Sequence, residues 1–97
     1  MTTYIMLINY TEQGIRDVRS SPKRFDAAKK LIEDMGGKFK AIYLTMGGYD
    51  LVGVIEAPDD AVMARFTLQT AMGGNVRTTT LKAFPEAAYR EIITSLG

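Results

Sequence analysis

Two segments of the chain are apolar without the alternation expected of a half-exposed strand. Residues 4–8 read YIMLI, and residues 51–55 read LVGVI. A strand with one face in water alternates apolar and polar side chains, whereas a continuous apolar run indicates burial on both faces. The pattern therefore predicts two central strands that are covered on both sides.

The rest of the pattern predicts a β-α-β-β-α-β order followed by a terminal helix. Strands are predicted at 3–10, 38–46, 49–56 and 76–84, with Gly47-Gly48 as the hairpin turn between the middle two. A helical turn is predicted near 15–18, and helices at 22–35 (with Ser21 as N-cap), 58–72 and 85–96. This is the α+β ferredoxin-like order, in which right-handed crossovers place both main helices on one face of a four-stranded antiparallel sheet.

The two main helices can cover only one face of that sheet. A chain of 97 residues forms one domain, spanning 1–97, and has no material for a second layer. We therefore expect the second face to pack against another copy of the chain, as a homodimer or a higher oligomer.

Alternation along the strands divides their side chains into two sets. The compact aliphatic set is predicted to face the helices: Ile5, Leu7, Ile42, Leu44, Val52, Val54, Leu81 and Ala83. The other set is predicted to face the second copy: Tyr4, Met6, Ile8, Tyr10, Phe39, Tyr43, Thr45, Tyr49, Gly53, Thr78, Thr80 and Lys82. Four of the five tyrosines fall in this second set, and their polar-tipped rings suit either an interface or a ligand pocket.

Composition removes several classes of chemistry. The chain has no Cys and no His, which excludes disulfides, thiolate nucleophiles, imidazole acid-base steps and sites ligated by either residue. The net charge is +1 without a basic stripe, so nucleic-acid binding is not expected. No segment resembles a signal peptide or a membrane helix. The sequence predicts a cytoplasmic protein with no metal, no cofactor and no membrane partner.

Three segments together resemble a known family. They are 10–15 (YTEQGI), 46–52 (MGGYDLV) and 76–80 (VRTTT), and the likeness extends over essentially the whole chain. They resemble the GYD-domain family, named after the tripeptide at 48–50. The resemblance implies a dimeric α/β-barrel assembly built from ferredoxin-like units, but it brings no assigned function.

Residues 45–80 are also similar in pattern to the effector-binding domain of Lrp/AsnC-type regulators. That resemblance implies pairing through the sheets and binding of small molecules, often amino acids, at oligomer interfaces. Because the helix-turn-helix domain of those regulators does not precede the segment here, DNA binding is not expected.

The residues predicted to line a ligand site are Tyr4, Tyr10, Arg16, Tyr43, Thr45, Gly48, Tyr49, Asp50, Arg77 and Thr78. Asp50 is expected either to accept backbone hydrogen bonds near the turn or to serve as an acid-base or amine-binding carboxylate. Arg16 and Arg77 are candidates to pair with Asp50 or with a ligand carboxylate.

Three functions remain open at this point. The favoured one is a homo-oligomeric small-molecule-binding or sensing module with a pocket at or near the sheet-to-sheet interface. The alternative is a cofactor-free isomerase or monooxygenase, with a tyrosine as proton donor and Asp50 or Glu56 as base. The third is a scaffold whose partner is another protein.

Overall fold

The computed structural model describes all 97 residues and confirms the ferredoxin-like element order. The elements are β1 (Thr2–Tyr10), α1 (Glu12–Arg16), a 3-10 turn (Val18–Ser20), α2 (Ser21–Asp34), β2 (Lys38–Leu44), β3 (Leu51–Ala57), α3 (Asp60–Met72), β4 (Val76–Ala83) and α4 (Glu86–Thr94). The strands form one sheet in the order β2-β3-β1-β4, and every neighbouring pair is antiparallel. β1 and β3 are the central strands, as their apolar sequences predict, and β4 is an edge strand.

The core lies between the sheet and the helices α2 and α3. Ile32 of α2 and Phe66 of α3 are fully buried against the side chains of Met6 and Ile55 from the central strands. The Phe39 ring meets the rings of Phe25 and Phe66 edge to face, with centroid distances of 5.0 Å and 5.9 Å. Offset aromatic contacts of this kind add specific geometry to the burial of apolar area.

The assignment of side chains to the two faces was wrong for most strand positions. Tyr4, Met6 and Ile8 are buried in the core under the helices, whereas Ile5 and Leu7 lie on the opposite face. The predicted inner and outer positions are exchanged because an uninterrupted apolar run carries no alternation that marks one face as the inner one.

Gly53 reveals the inner face of the sheet. It pairs with Met6 across the ladder, and a Cβ there would lie 3.1 Å from the Phe39 ring. A glycine in the interior of a strand often marks such a close approach by a neighbouring group. The register also shifts between Phe39 and Ala41, so that Ile42 and Leu44 share the helix side with Phe39, while Tyr43 lies on the opposite face.

The uncovered side of the sheet, called the open face below, carries two apolar rows that cross all four strands. The first row is Ala41, Val54, Ile5 and Leu81, and the second is Tyr43, Val52, Leu7 and Thr79. Tyr43 is 60% exposed and Leu81 is 47% exposed. The expected bare apolar face therefore exists, although its residues are mostly those that were assigned to the helix side.

Helix α4 extends away from the rest of the domain and packs on no other element to a substantial extent. The molecule measures 52 × 31 × 17 Å with a radius of gyration of 14.5 Å, against about 12.5 Å expected for a compact chain of this length. Tyr89, Ile92 and Ile93 are exposed along α4, and so is Leu96 just beyond its end. None of the helices combines the length and the apolar character that crossing a bilayer requires.

Two local predictions need correction. The link between β2 and β3 is a six-residue loop, 45–50, rather than a tight Gly47-Gly48 turn. Helix α2 begins one residue early, at Ser21, and its N-cap Ser20 makes no side-chain capping bond. At the start of α3 the acidic residues behave as expected, because the Asp59 side chain accepts a hydrogen bond from the Val62 amide.

The short helix α1 is fastened to the turn before β4. The Thr11 amide donates to the Asn75 carbonyl at 3.0 Å, and the Thr11 hydroxyl donates to the Gly74 carbonyl at 2.6 Å. Gly14 fits against the same turn so closely that a Cβ would lie 1.9 Å from the Asn75 oxygen. Only a residue without a side chain allows the two backbones to meet in this way.

We predict that Gly14→Ala lowers the free energy of unfolding by at least about 2 kcal/mol, because backbone must move to admit the methyl group. Alanine is otherwise a better helix former than glycine by about 1 kcal/mol, so helix propensity alone would make Gly14→Ala stabilising, the opposite of the expected result. The measurement is urea denaturation. Gly48→Ala is the matched control, since nothing lies within 4 Å of a Cβ at that position. Equal effects of the two substitutions would contradict the close contact.

Candidate functional site

The loop that carries the family tripeptide is held to the sheet by Asp50. Its Oδ2 atom accepts a hydrogen bond from the Tyr10 amide at 2.9 Å, and its own amide donates to the Ile8 carbonyl at 2.9 Å. The Thr45 amide donates to the Asp50 carbonyl at 2.8 Å, and the Thr45 hydroxyl donates to the Tyr49 carbonyl at 2.5 Å. Asp50 thus continues the β1–β3 ladder by one residue with its side chain, and it is a structural acceptor of a backbone amide.

The residues predicted to line a ligand site do not converge on one place. Tyr4, Tyr10 and Thr78 lie on the helix side of the sheet, whereas Tyr43 and Arg77 lie on the open face. Thr45, Gly48, Tyr49 and Asp50 belong to the β2–β3 loop. Neither arginine pairs with Asp50: Arg16 forms an exposed pair with Glu12 on α1 at 2.6 Å, and Arg77 takes part in no ion pair.

The hydroxyl groups of the two tyrosines on the helix side form hydrogen bonds with residues outside the strands. The Tyr10 hydroxyl lies 2.7 Å from the Ser21 hydroxyl at the start of α2. The Tyr4 hydroxyl donates to Asp60 Oδ1 at 2.5 Å at the start of α3, and Lys82 Nζ lies 3.1 Å from Asp60 Oδ2. The Tyr4 ring is buried and the Tyr10 ring is partly buried, and the hydroxyl of each reaches a polar group at the start of a helix, which is how tyrosine is accommodated without an interface.

This contact changes the acidity of both partners. Burial of the ring, followed by the hydrogen bond to Asp60, raises the pKa of Tyr4 from 10.0 to about 12. The hydrogen bond from Tyr4, followed by that from Lys82, lowers the pKa of Asp60 below its usual value. A phenol held protonated this firmly is a poor proton donor at neutral pH, since efficient acid-base groups have a pKa near the working pH.

A cavity of about 350 Å³ opens between α2 and α3 above the helix side of the sheet. Its floor includes Met6, Ile8 and Leu51, and Phe25 and Phe66 stand in its walls. The polar residues at its edge are Ser21, Arg24, Gln69, Thr70 and Asn75. This cavity, called the helix-side cavity below, lies within the range of about 300–1,000 Å³ typical of small-molecule pockets.

Sequence reasoning missed the helix-side cavity because it assigned the cavity floor to the open face. Small residues in the two helices could have indicated the cavity. Ala27 and Ala28 of α2 lie at the cavity, as do Thr70 and Gly73 at the end of α3. Short side chains on the inner faces of two helices leave the space between them unfilled.

We predict that Asp50→Ala lowers the free energy of unfolding by about 1–2 kcal/mol, because the half-buried Tyr10 amide loses its acceptor. Asp50→Asn keeps an acceptor oxygen and should cost less. Urea denaturation gives the energies, and hydrogen exchange at the Tyr10 amide locates the effect. An Asp50→Ala variant with unchanged stability and unchanged exchange would contradict the structural role.

The lowered pKa of Asp60 predicts a pH-dependent contribution to stability. The native state binds this proton less readily than the unfolded state, so the stabilisation is present above the ordinary carboxyl pKa of 3.8 and disappears as the pH falls through the lower native value. Asp60→Asn should therefore be less stable than the wild type near neutral pH, and the difference should vanish toward pH 2. Urea midpoints between pH 2 and 7 provide the test.

Glu86→Gln serves as the control for the loss of one surface carboxylate, because Glu86 contacts only Arg90 on α4. A stability difference between the wild type and Asp60→Asn that stays constant over the whole pH range would contradict the native ion pair and hydrogen bond.

Two comparisons with known proteins match nearly the whole chain. The family model described as "GYD domain" matches residues 4–93. A Thermus thermophilus protein named "Glutamine synthetase and cystathionine beta-lyase binding protein" is 39% identical over 88 residues, which are 90% of this chain and 93% of that protein.

Among solved structures, a protein from Thermus thermophilus aligns with a TM-score of 0.55 at 25% identity, over 88% of this chain and 95% of that one. The leucine response regulatory protein of Mycobacterium tuberculosis aligns with a TM-score of 0.57 at 14% identity, over 87% of this chain and 51% of that one. This chain thus spans about half of the regulator, and the likeness concerns the fold alone. The match of the family model over nearly the whole sequence shows that the chain belongs to the GYD domain family.

Proposed function

We propose that this chain is a homo-oligomeric regulatory module that binds a metabolic enzyme, with glutamine synthetase as the first partner to test. The observation that carries the proposal is the 39% identity to the Thermus thermophilus protein whose name states that it binds glutamine synthetase and cystathionine beta-lyase. The alignment covers 93% of that protein, so the likeness is not confined to one segment of it. The proposal favours the protein-partner alternative that the sequence left open, in the predicted cytoplasmic setting.

Self-association through the open face is the first part of the proposal. The two apolar rows cross the whole sheet, and a two-fold axis would lay them on the same rows of a second copy. Exposed apolar rows of this extent are unusual on a monomer and typically mark an interface. The result would be the dimeric α/β-barrel assembly that the family resemblance implies, with the apolar residues of α4 available to extend the contact.

The β2–β3 loop is the surface we assign to the enzyme. Leu44, Met46 and Tyr49 are exposed around this loop in the single chain, and Met46 is fully exposed. The backbone beneath them is fixed by Asp50 and Thr45, so the loop presents its apolar side chains without a large ordering cost.

A ligand pocket between the two sheets has less support than the sequence suggested. Tyr4 and Tyr10 face the helices, so Tyr43 is the tyrosine that the open face retains. We therefore propose a different location for the small-molecule part of the sequence hypothesis, the helix-side cavity.

The test uses purified chain and purified glutamine synthetase from the same organism, analysed by size-exclusion chromatography with light scattering. The chain alone should have a mass of at least twice 10.7 kDa, as expected for an oligomer, and it should co-elute with the enzyme. Leu7→Lys on the open face should give a folded monomer, because a charge there is tolerated in water but not between two sheets. Met46→Lys in the loop should keep the oligomer and weaken enzyme binding at least tenfold.

Leu68→Lys is the matched control, since Leu68 is exposed on α3 away from both surfaces and the substitution adds the same charge. It should change neither readout. A wild-type chain that is monomeric at tens of micromolar would overturn the open-face contact. A wild-type oligomer that fails to co-elute with the enzyme would overturn the assigned partner.

A further inference from the structure

The helix-side cavity lies between α2 and α3 on the helix side of the sheet. They run antiparallel on the sheet, and the first turn of α2 at Ser21 lies beside the last turns of α3 at Gln69 and Thr70. The two helices contact each other to a small extent only, and the cavity lies between them. Met6 and Ile8 at its floor belong to the buried core, so most of its accessible lining comes from partly buried residues such as Phe25, Leu31 and Leu51.

The cavity has an apolar body and a polar edge. Floor and walls are aliphatic and aromatic, with Phe25, Phe39 and Phe66 already arranged edge to face. The polar edge holds one cation, Arg24, and no Asp or Glu side chain lines the cavity. The site can therefore compensate a negative group on a ligand, but it offers nothing to neutralise an ammonium group.

Arg24 is positioned by the backbone at the cavity edge. Its guanidinium donates to the Asp17 carbonyl at 2.9 Å and to the Gly14 carbonyl at 3.3 Å, and its side chain is 24% exposed. These bonds use two of its five N–H groups and leave others free to meet a ligand carboxylate. Asp17 lies 3.6 Å from the guanidinium but is itself largely exposed, so water screens its charge.

We infer that the helix-side cavity binds a small apolar monocarboxylate, with its ring or chain against Phe25 and the neighbouring apolar lining and its carboxylate at Arg24. The aromatic walls favour an aryl-alkanoic acid over a branched aliphatic one. An engineered cavity of about 150 Å³ holds benzene, so about 350 Å³ accommodates one ring together with a short chain. Free α-amino acids should bind poorly, because burying their ammonium group without a partner is costly.

This ligand would give the proposed regulatory module something to sense, but its binding is a property of the isolated chain. Failure of ligand binding would leave enzyme binding untouched, and failure of enzyme binding would leave the cavity untouched. The two proposals are therefore tested separately.

The experiment titrates the isotope-labelled chain with 3-phenylpropionate, its neutral amide and phenylalanine, and follows methyl and amide NMR signals. The acid should bind at least tenfold more tightly than the amide, and phenylalanine should bind more weakly than the acid. Methyl shifts should appear at Met6, Ile8 and Leu51 on the cavity floor. The open-face methyls of Ile5 and Val54 should not respond directly.

Two variants separate charge from volume. Arg24→Gln should remove the preference for the acid over the amide while leaving amide binding within about twofold, with Arg16→Gln as the exposed control. Ala28→Leu should fill the cavity and abolish binding of both ligands, with Ala61→Leu on the exposed side of α3 as the control. If Arg24→Gln fails to fold, the comparison of acid, amide and amino acid on the wild type still decides the charge requirement.

Four outcomes would overturn the inference. The first three are the absence of binding at millimolar ligand, equal binding of acid and amide, and ligand shifts that fall on the open face. A fourth is a dilution series in which the floor methyls shift without any ligand, because the cavity would then be occupied by a second copy of the chain.

Discussion

The structure depends on the need to bury both faces of its central strands. In β1, Met6 and Ile8 are covered by α2 and α3, whereas Ile5 and Leu7 project to a side that the chain does not cover. Apolar area removed from water contributes roughly 25 cal/mol per Å², so a row of such residues across four strands is a substantial free energy that one chain cannot gain alone. The same constraint accounts for the bare sheet and for the tendency toward association that we propose.

The element order and the existence of a bare face were predictable, because they depend on the positions of breakers and on continuous apolar runs. The identity of the inner face was not predictable from that pattern, since Tyr4–Ile55 and Ile5–Val54 are neighbouring ladder pairs that are both apolar. Tyr4 and Tyr10 were assigned to the wrong face because the compact aliphatic side chains were expected to pack against the helices. In the fold, their hydroxyl groups form hydrogen bonds with two residues that begin helices, Ser21 and Asp60.

The candidate site was harder to predict than the fold for a related reason. Asp50 was expected to accept backbone hydrogen bonds near the turn, and it does accept one, but the donating amide belongs to Tyr10 on β1, forty residues away. Such a long-range pairing follows from the register of β1 against β3, which the sequence does not specify by itself. Likewise, the helix-side cavity results from the absence of large side chains at Ala28 and Gly73, and spacing patterns describe what is present rather than what is missing.

The fastening of α1 to the turn before β4 has a consequence for how relatives of this chain can diverge. Thr11, Gly14 and the Gly74–Asn75 turn meet through main-chain atoms and the Thr11 hydroxyl, and the Arg24 side chain is anchored on two main-chain carbonyls next to them. The position of this edge of the cavity therefore depends largely on the backbone, while the interior consists of apolar side chains. Substitutions in the cavity interior can change which molecule fits without changing the cavity edge. Ligand selectivity can therefore differ between family members that share the same backbone.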